Sequence, residues 1–153
     1  MFLATDTVEV RDRKVRQLLH SEPSLSLIVA AVNFEWTVCR AIMFLSPLPN
    51  TTLRAKMAEY YSLPGYKDLW REEVAKTRHT RTLPSLISNW SKVCAALVAR
   101  NRLVHGRDRY TRNMASPHID ALLEGVNQID IFCKDNECPL YARMPVRRRR
   151  AAG

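Results

Sequence analysis

The sequence predicts an all-α protein, a single-domain helical bundle of five or six helices. Apolar residues recur at steps of three and four over several long segments, which is the periodicity of amphipathic helices. Only four glycines occur in 153 residues and no strand-turn-strand pattern is present, so a turn-rich all-β fold is disfavoured. Residues 1–140 are predicted to form the domain and residues 141–153 a basic C-terminal tail.

Six segments carry the helical periodicity, and polar or proline-containing stretches separate them. Pro64–Gly65, for example, predicts a turn. The second segment is apolar over most of its circumference, as expected for the central helix of a bundle. The predicted helices are Val8 to Leu19, Pro23 to Leu45, Thr51 to Tyr61, Tyr66 to Lys76, Pro84 to His105 and Ser116 to Phe132.

The formal net charge of +9 is large for this length. Without the run Arg147 to Arg150 the chain still has 20 basic and 15 acidic residues. Such an excess favours polyanionic partners, although solubility alone also explains it. The longest apolar run, Leu27 to Val32, is too short to span a bilayer, so no membrane association and a cytoplasmic location are predicted. Cys133 and Cys138 lie close together, but no second pair completes a zinc site, so no metal is expected.

The stretch from Arg100 to Gly106 ends the fifth predicted helix, and Gly106 marks the stop. Asn101 lies four residues after Leu97, on the apolar stripe that also holds Val98 and Val104, so its amide is predicted to be buried. His105 lies one turn further along the same side. An arginine, an amide and an imidazole therefore gather at one helix end.

Three polar residues, Asn33, Glu35 and Arg40, interrupt the apolar second helix, and a buried charge needs a partner. Glu35 and Arg40 are five residues apart and poorly placed to pair with each other. Glu35 is therefore available to an arginine from elsewhere, such as Arg100. The alternative is that Glu35 lies on a partly exposed edge.

A basic surface is predicted around the helix end. Arg102, Arg107, Arg109 and Tyr110 combine cations with an aromatic ring, a mixture that suits contact with phosphates and bases. A run of charges also occurs on ordinary solvated surfaces, and that alternative stays open.

The pattern Arg100-Asn101-Arg102-Leu103-Val104-His105 resembles the Arg-polar-x-x-x-His motif of the HEPN family. The helix with Asn33-Phe34-Glu35-Trp36 is similar to the family's early helix, where an acidic residue often faces the motif. The likeness in organisation runs from about Ser21 to Cys133, and Arg102 is an extra arginine within the motif. The resemblance implies a HEPN-like bundle that forms a homodimer with both motifs at the interface.

It also implies a metal-independent endoribonuclease that needs no cofactor, commonly a toxin of a toxin–antitoxin or phage-defence system. Arg100, Asn101 and His105 would be catalytic and Glu35 supporting. The substrate's 2′-hydroxyl would attack, giving a 2′,3′-cyclic phosphate and a 5′-hydroxyl. A nucleotidyltransferase-like or other antitoxin could block the motif or modify Tyr110.

Two alternatives compete with catalysis. Arg100 and Asn101 could cap carbonyls at the helix end while His105 is an ordinary C-terminal histidine. The second alternative is a non-catalytic helical module that binds RNA or a partner protein through its basic face.

Overall fold

The computed structural model describes residues 5–60 and 62–147, and within them the chain is a helical bundle without a β-strand. The helices in this part number seven, not the five or six predicted. They are α1 (Val8–Ser21), α2 (Pro23–Leu45), α3 (Asn50–Glu59), α4 (62–78), α5 (Leu83–Leu86), α6 (Trp90–Val104) and α7 (Arg112–Asp135). Within α4 a π-helical turn, Arg71–Ala75, joins the α-helical parts Ser62–Trp70 and Lys76–Arg78.

A break inside the fifth predicted helix divides it into α5 and α6. The backbone is extended at Ile87 (φ −94°, ψ 108°), so α5 ends there and α6 begins three residues later. Two side chains of α7 stabilise the break: Gln128 accepts a hydrogen bond from the Ser88 N–H (2.9 Å), and Glu124 accepts one from Asn89 Nδ2 (2.9 Å). Because these partners are distant in sequence, local periodicity does not indicate the break.

Pro64 and Gly65 do not form the predicted turn. Both lie near the start of α4. Proline is tolerated in a first helical turn because an N–H there has no intrahelical acceptor. Gly65 lies against the backbone of Tyr60, since a Cβ at this position would come within 3.0 Å of the Tyr60 carbonyl carbon. Pro64 and Gly65 therefore belong to the start of a helix, and the lack of a side chain at Gly65 allows the chain to pass close to the Tyr60 backbone.

Helix α2 lies at the centre, as its apolar circumference predicted, and packs against α1, α6 and α7. Leu27, Phe34, Val38 and Ile42 are fully buried. Burying such a side chain contributes about 1.5–3 kcal/mol, so α2 supplies much of the core. By length and composition α2 could also cross a membrane, but 61% of its most apolar window is buried inside the fold.

Asn33, Glu35 and Arg40 of α2 each have a partner, although Asn33 Nδ2 is buried without a hydrogen bond. Asn33 accepts a hydrogen bond from Nη1 of the buried Arg11 (3.0 Å), and that guanidinium lies 3.8 Å from the Trp36 ring centroid. Arg40 donates to backbone carbonyls near the C-terminus. Glu35 forms an ion pair with Arg100 of α6. These contacts matter because an unsatisfied buried polar group costs about 1–3 kcal/mol.

Residues 138–147 lie against α2 and are called here the C-terminal strap. Arg40 of α2 donates to strap carbonyls, and Arg147 of the strap donates to the last carbonyls of α2. The accepting carbonyls are those of Leu140, Ala142, Met43 and Phe44. Tyr141 of the strap stacks on the Trp36 ring of α2, with the ring centroids 6.1 Å apart. Of the run Arg147 to Arg150 in the predicted tail, Arg147 is hydrogen-bonded to α2, and Arg148 to Arg150 lie outside the described residues.

The contact between α2 and α7 is tested at Gly125, where a Cβ would come within 3.0 Å of Phe34 Cε2. We expect Gly125→Val to lower the free energy of unfolding by about 2 kcal/mol, because the overpacked core must shift. Urea denaturation measures the change. Asn127→Val on the exposed side of α7 is the control and should change it by less than about 0.5 kcal/mol. Equal losses in the two variants would contradict close packing at Gly125.

Candidate functional site

An ion pair between α6 and α2 is the first feature of the candidate site. Arg100 Nη2 donates a hydrogen bond to Glu35 Oε1, which confirms the pairing suggested by the sequence. The side chains are only 22% and 19% exposed. Burial raises the pKa of the Glu35 carboxyl, while the charge and hydrogen bond of Arg100 act in the opposite direction. The pair ties α6 to α2 one turn before α6 ends.

Cys39 of α2 and Tyr66 of α4 border this pair and hydrogen-bond each other. Burial raises the pKa of Cys39 to about 11, against the lowering effect of the Tyr66 hydrogen bond. Burial, followed by the neighbouring Cys39 and Glu35, raises the pKa of Tyr66 to about 12. Both groups are therefore neutral near pH 7, and Cys39 is not a thiolate nucleophile. Cys39 lies four residues after Glu35, and this spacing indicates that the two side chains share one face of α2.

Asn101 is exposed, and the prediction that its amide is buried is wrong. The buried residues of α6 are Val93, Ala96, Leu97 and Ala99. Two of these are alanines, whose small side chains let α6 pack close to its neighbours. A periodicity based on large apolar residues does not detect them. Val98 and Val104, assigned by the sequence to the buried stripe, are 59% and 57% exposed. Asn101 therefore shares a solvent-facing side of α6 with two valines.

His105 is the C-cap residue of α6, and its side chain is exposed. Gly106 follows with a φ of +66°. The next two N–H groups turn back onto the helix, from Gly106 to the Leu103 carbonyl (3.0 Å) and from Arg107 to the Arg102 carbonyl (2.9 Å). This is a Schellman motif, and it confirms the predicted stop at Gly106. His105 therefore lies at the end of α6, and its imidazole makes no hydrogen bond to any described residue.

Arg102, the extra arginine of the motif, forms a two-point ion pair with Asp108. Its Nε lies 2.7 Å from Asp108 Oδ2, and its Nη2 lies 3.2 Å from Oδ1. The pair fastens the loop after α6, although an exposed pair contributes at most about 1 kcal/mol. Arg107 and Arg109 are exposed and have no carboxylate partner in the described part of the chain. Among the predicted ligand-binding arginines, Arg107 and Arg109 are therefore the ones whose charges are available to a ligand.

Tyr110 is half-buried where the loop after α6 meets the start of α2. Its backbone N–H donates to Ser24 Oγ (3.2 Å), and its ring meets His118 edge-on with centroids 5.7 Å apart. The sequence did not indicate these two partners. Tyr110 lines a cleft of about 570 Å³, called here the Tyr110 cleft. Its lining residues are Glu22, Pro23, Ser24, Ile28, Leu103, Gly106, Asp108, Arg109 and Tyr110.

A second cleft of about 450 Å³, called here the Arg100 cleft, lies between α2, α4 and α6. Its lining residues are Glu35, Ser62, Leu63, Pro64, Cys94, Leu97, Val98, Arg100 and Asn101. Three of the predicted site residues, Glu35, Arg100 and Asn101, therefore meet at one surface. His105 lies one helical turn beyond Asn101, and the remaining predicted site residues follow along the helix end and loop.

No family model matches the chain, and no curated protein or solved structure is significantly similar to it. All four cysteines are free thiols. Over residues 5–60 and 62–147, no three His, Cys, Asp or Glu side chains are grouped so as to hold a metal ion. The comparisons therefore assign neither a family nor a function to the chain.

Removing Arg100 should cost stability in a pH-dependent way. Arg100→Ala leaves the Glu35 carboxylate partly buried without its partner, and we expect a loss of about 1–2 kcal/mol at pH 8. Because burial raises the pKa of Glu35, the orphaned carboxyl takes up a proton as the pH falls, and the folded state then binds more protons than the unfolded state. The loss should therefore shrink toward pH 5 in a series of denaturation curves.

The control is the double variant Arg100→Ala with Glu35→Gln, since an amide does not titrate in this range. Its loss of stability at pH 8 should be smaller than that of Arg100→Ala and should not vary with pH. A pH-independent loss in Arg100→Ala itself would contradict the coupling of the two side chains.

Proposed function

We propose that the protein is a metal-independent endoribonuclease of the HEPN type, with Arg100, Asn101 and His105 as catalytic residues. The observation that carries the proposal is the Glu35–Arg100 pair near the end of α6, followed by an exposed His105. The pair holds a guanidinium at a cleft, and the imidazole is exposed and makes no side-chain hydrogen bond to a described residue. A cation and a proton-transfer group on one accessible helix end are what phosphodiester cleavage requires.

The proposed reaction uses the 2′-hydroxyl of the RNA as the nucleophile. A base removes the 2′-hydroxyl proton while the oxygen attacks the adjacent phosphorus, and an acid protonates the departing 5′-oxygen. The products are a 2′,3′-cyclic phosphate and a 5′-hydroxyl. Histidine suits both proton transfers because its unperturbed pKa of about 6.5 leaves each form populated at neutral pH.

The other residues stabilise and orient in this proposal. Arg100 presents a planar set of donors to the phosphorane's negative charge, which a lysine would not reproduce. Glu35 holds that guanidinium in place. Asn101, exposed one turn before His105, orients the imidazole or the scissile phosphate. Arg107 and Arg109 attract the RNA backbone through their unpaired charges.

A homodimer with the two motifs at its interface belongs to the same proposal, because one histidine cannot readily act as acid and base at once. Exposed apolar side chains near the motif support it. Val98 and Val104 flank Asn101 on α6, and Val32 lies one turn before Glu35 on α2 and is 51% exposed. These are the apolar side chains that the proposed interface would bury.

A toxin role in a toxin–antitoxin or phage-defence system completes the proposal, and it rests on the family resemblance. An antitoxin, nucleotidyltransferase-like or other, would act by covering the exposed end of α6. Tyr110, the residue suggested for modification, is half-buried against His118.

His105→Ala should lower the rate of RNA cleavage by about 10²–10⁴-fold, the usual contribution of a general acid or base, without changing the fold. The measurement is end-group analysis of RNA incubated with each protein in the presence of a chelator. His20→Ala, at an exposed histidine of α1, is the matched control and should keep full activity. Cleavage that survives in His105→Ala, or that disappears with the chelator, would overturn the mechanism.

A non-catalytic RNA-binding module is the second candidate. It is favoured by the Arg102–Asp108 pair, which uses one motif arginine for structure and leaves the loop arginines as a basic surface. In that case His105→Ala keeps its RNA affinity, and no cleavage is seen even with the unmodified chain.

Val98→Asp should convert the dimer to monomers and reduce cleavage, because it puts a charge into the proposed apolar contact. Ile131→Asp is the matched control: Ile131 is 49% exposed near the far end of α7, away from the motif. Analytical ultracentrifugation measures both variants. A monomeric unmodified chain that still cleaves RNA would exclude the dimer, as would identical behaviour of the two variants.

A further inference from the structure

We propose that the Tyr110 cleft holds an unpaired nucleobase, so that the RNA recognised by this protein is single-stranded around that base. The position of this base beside the cleaved bond rests on the proposed nuclease function. The binding of the base does not, since it is argued from the cleft alone.

The cleft adjoins the end of α6. Gly106 is one of its lining residues and follows His105 directly in the chain. Apart from its two chain neighbours, no residue comes within 4 Å of where a Gly106 Cβ would be, so there is open space where the cleft meets the end of α6. A nucleotide bound at the end of α6 is therefore adjacent to the cleft.

The walls of the cleft suit the face of a base. Ile28 of α2 and Leu103 of α6 provide apolar contact, and Tyr110 provides an aromatic ring. Two contacts restrict the position of that ring: the Tyr110 N–H donates to Ser24 Oγ, and the ring makes a T-shaped contact with the His118 ring. A rigid aromatic ring among apolar groups is the usual platform for stacking a base, and only a base outside a duplex has a free face to stack.

The charges around the cleft give the nucleotide a direction. Arg109 lines the loop side, exposed and without a carboxylate partner among the described residues, whereas Asp108 is neutralised by Arg102. Glu22 lies on the α2 side. The phosphate is therefore favoured beside Arg109 and disfavoured beside Glu22, whose carboxylate can instead accept a hydrogen bond from an amino group of the base.

The test uses a 2′-O-methyl oligonucleotide, which cannot be cleaved by its own 2′-oxygen, with 2-aminopurine placed at each position in turn. We expect the full-length protein to quench the fluorescence at one or more positions of the single strand through stacking on Tyr110. The same oligonucleotide annealed to its complement should bind about tenfold more weakly. Equal affinity for strand and duplex, or no quenching at any position, would overturn the proposal.

Two variants change the cleft from opposite walls. Tyr110→Ala removes the stacking ring, and Ile28→Glu puts a carboxylate in the place of an apolar wall, so each should abolish quenching and lower single-strand affinity about tenfold. Tyr110→Phe is the matched control and should keep both. Circular dichroism reports the fold, and Ile28→Glu decides the outcome if Tyr110→Ala does not fold. Unchanged quenching in a folded cleft variant would contradict the proposal.

The two proposals fail separately. His105→Ala should still quench the probe although it no longer cleaves RNA. If the unmodified chain does not cleave RNA but quenches in a Tyr110-dependent way, the nuclease proposal fails and the base site stands. If it cleaves RNA while both folded cleft variants bind the single strand normally, the base site fails and the nuclease stands.

Discussion

The contact between Glu35 and Arg100 joins two helices whose relative position shapes both clefts. These residues are 65 positions apart in the chain and meet where both side chains have lost most of their water. Such a pair gains little net stability, because the cost of desolvation offsets most of the attraction. It does specify geometry, since neither charge tolerates burial without the other. The end of α6, the Schellman turn and the loop to Tyr110 are all placed relative to α2 in consequence.

The same logic recurs along α2. Asn33 meets Arg11, and Arg40 meets carbonyls of the C-terminal strap, so α1 and the strap are each attached to the central helix through a polar group inside an apolar surface. Apolar packing alone tolerates small rotations and slides of one helix on another. A hydrogen bond to a buried partner does not, because displacement leaves a polar atom unsatisfied. The polar residues of α2 thus fix how α1 and the C-terminal strap are positioned on it, where apolar packing alone would allow several positions.

Much of this organisation could be predicted from the sequence where the signal was local. The helical class, the central place of α2 and the stop at Gly106 follow from periodicity and from one glycine at a helix end. The charge of Glu35 on an apolar helix suggested a partner such as Arg100, with a partly exposed edge as the alternative. The exposure of Asn101 could not be predicted in the same way, because Ala96 and Ala99 carry the packing and periodicity gives more weight to valines. The break before α6 depends on contacts with α7 that are distant in the sequence, and no local pattern encodes them.

The C-terminal strap gives the first residue of the run Arg147 to Arg150 a structural role. Its first member, Arg147, donates hydrogen bonds to the last carbonyls of α2 and therefore serves as a clasp on the central helix. Deleting all four residues would loosen that helix as well as remove charge, and the two effects would be confounded. A shortened chain that keeps Arg147 separates them, and a fusion partner or affinity tag is best attached after this residue.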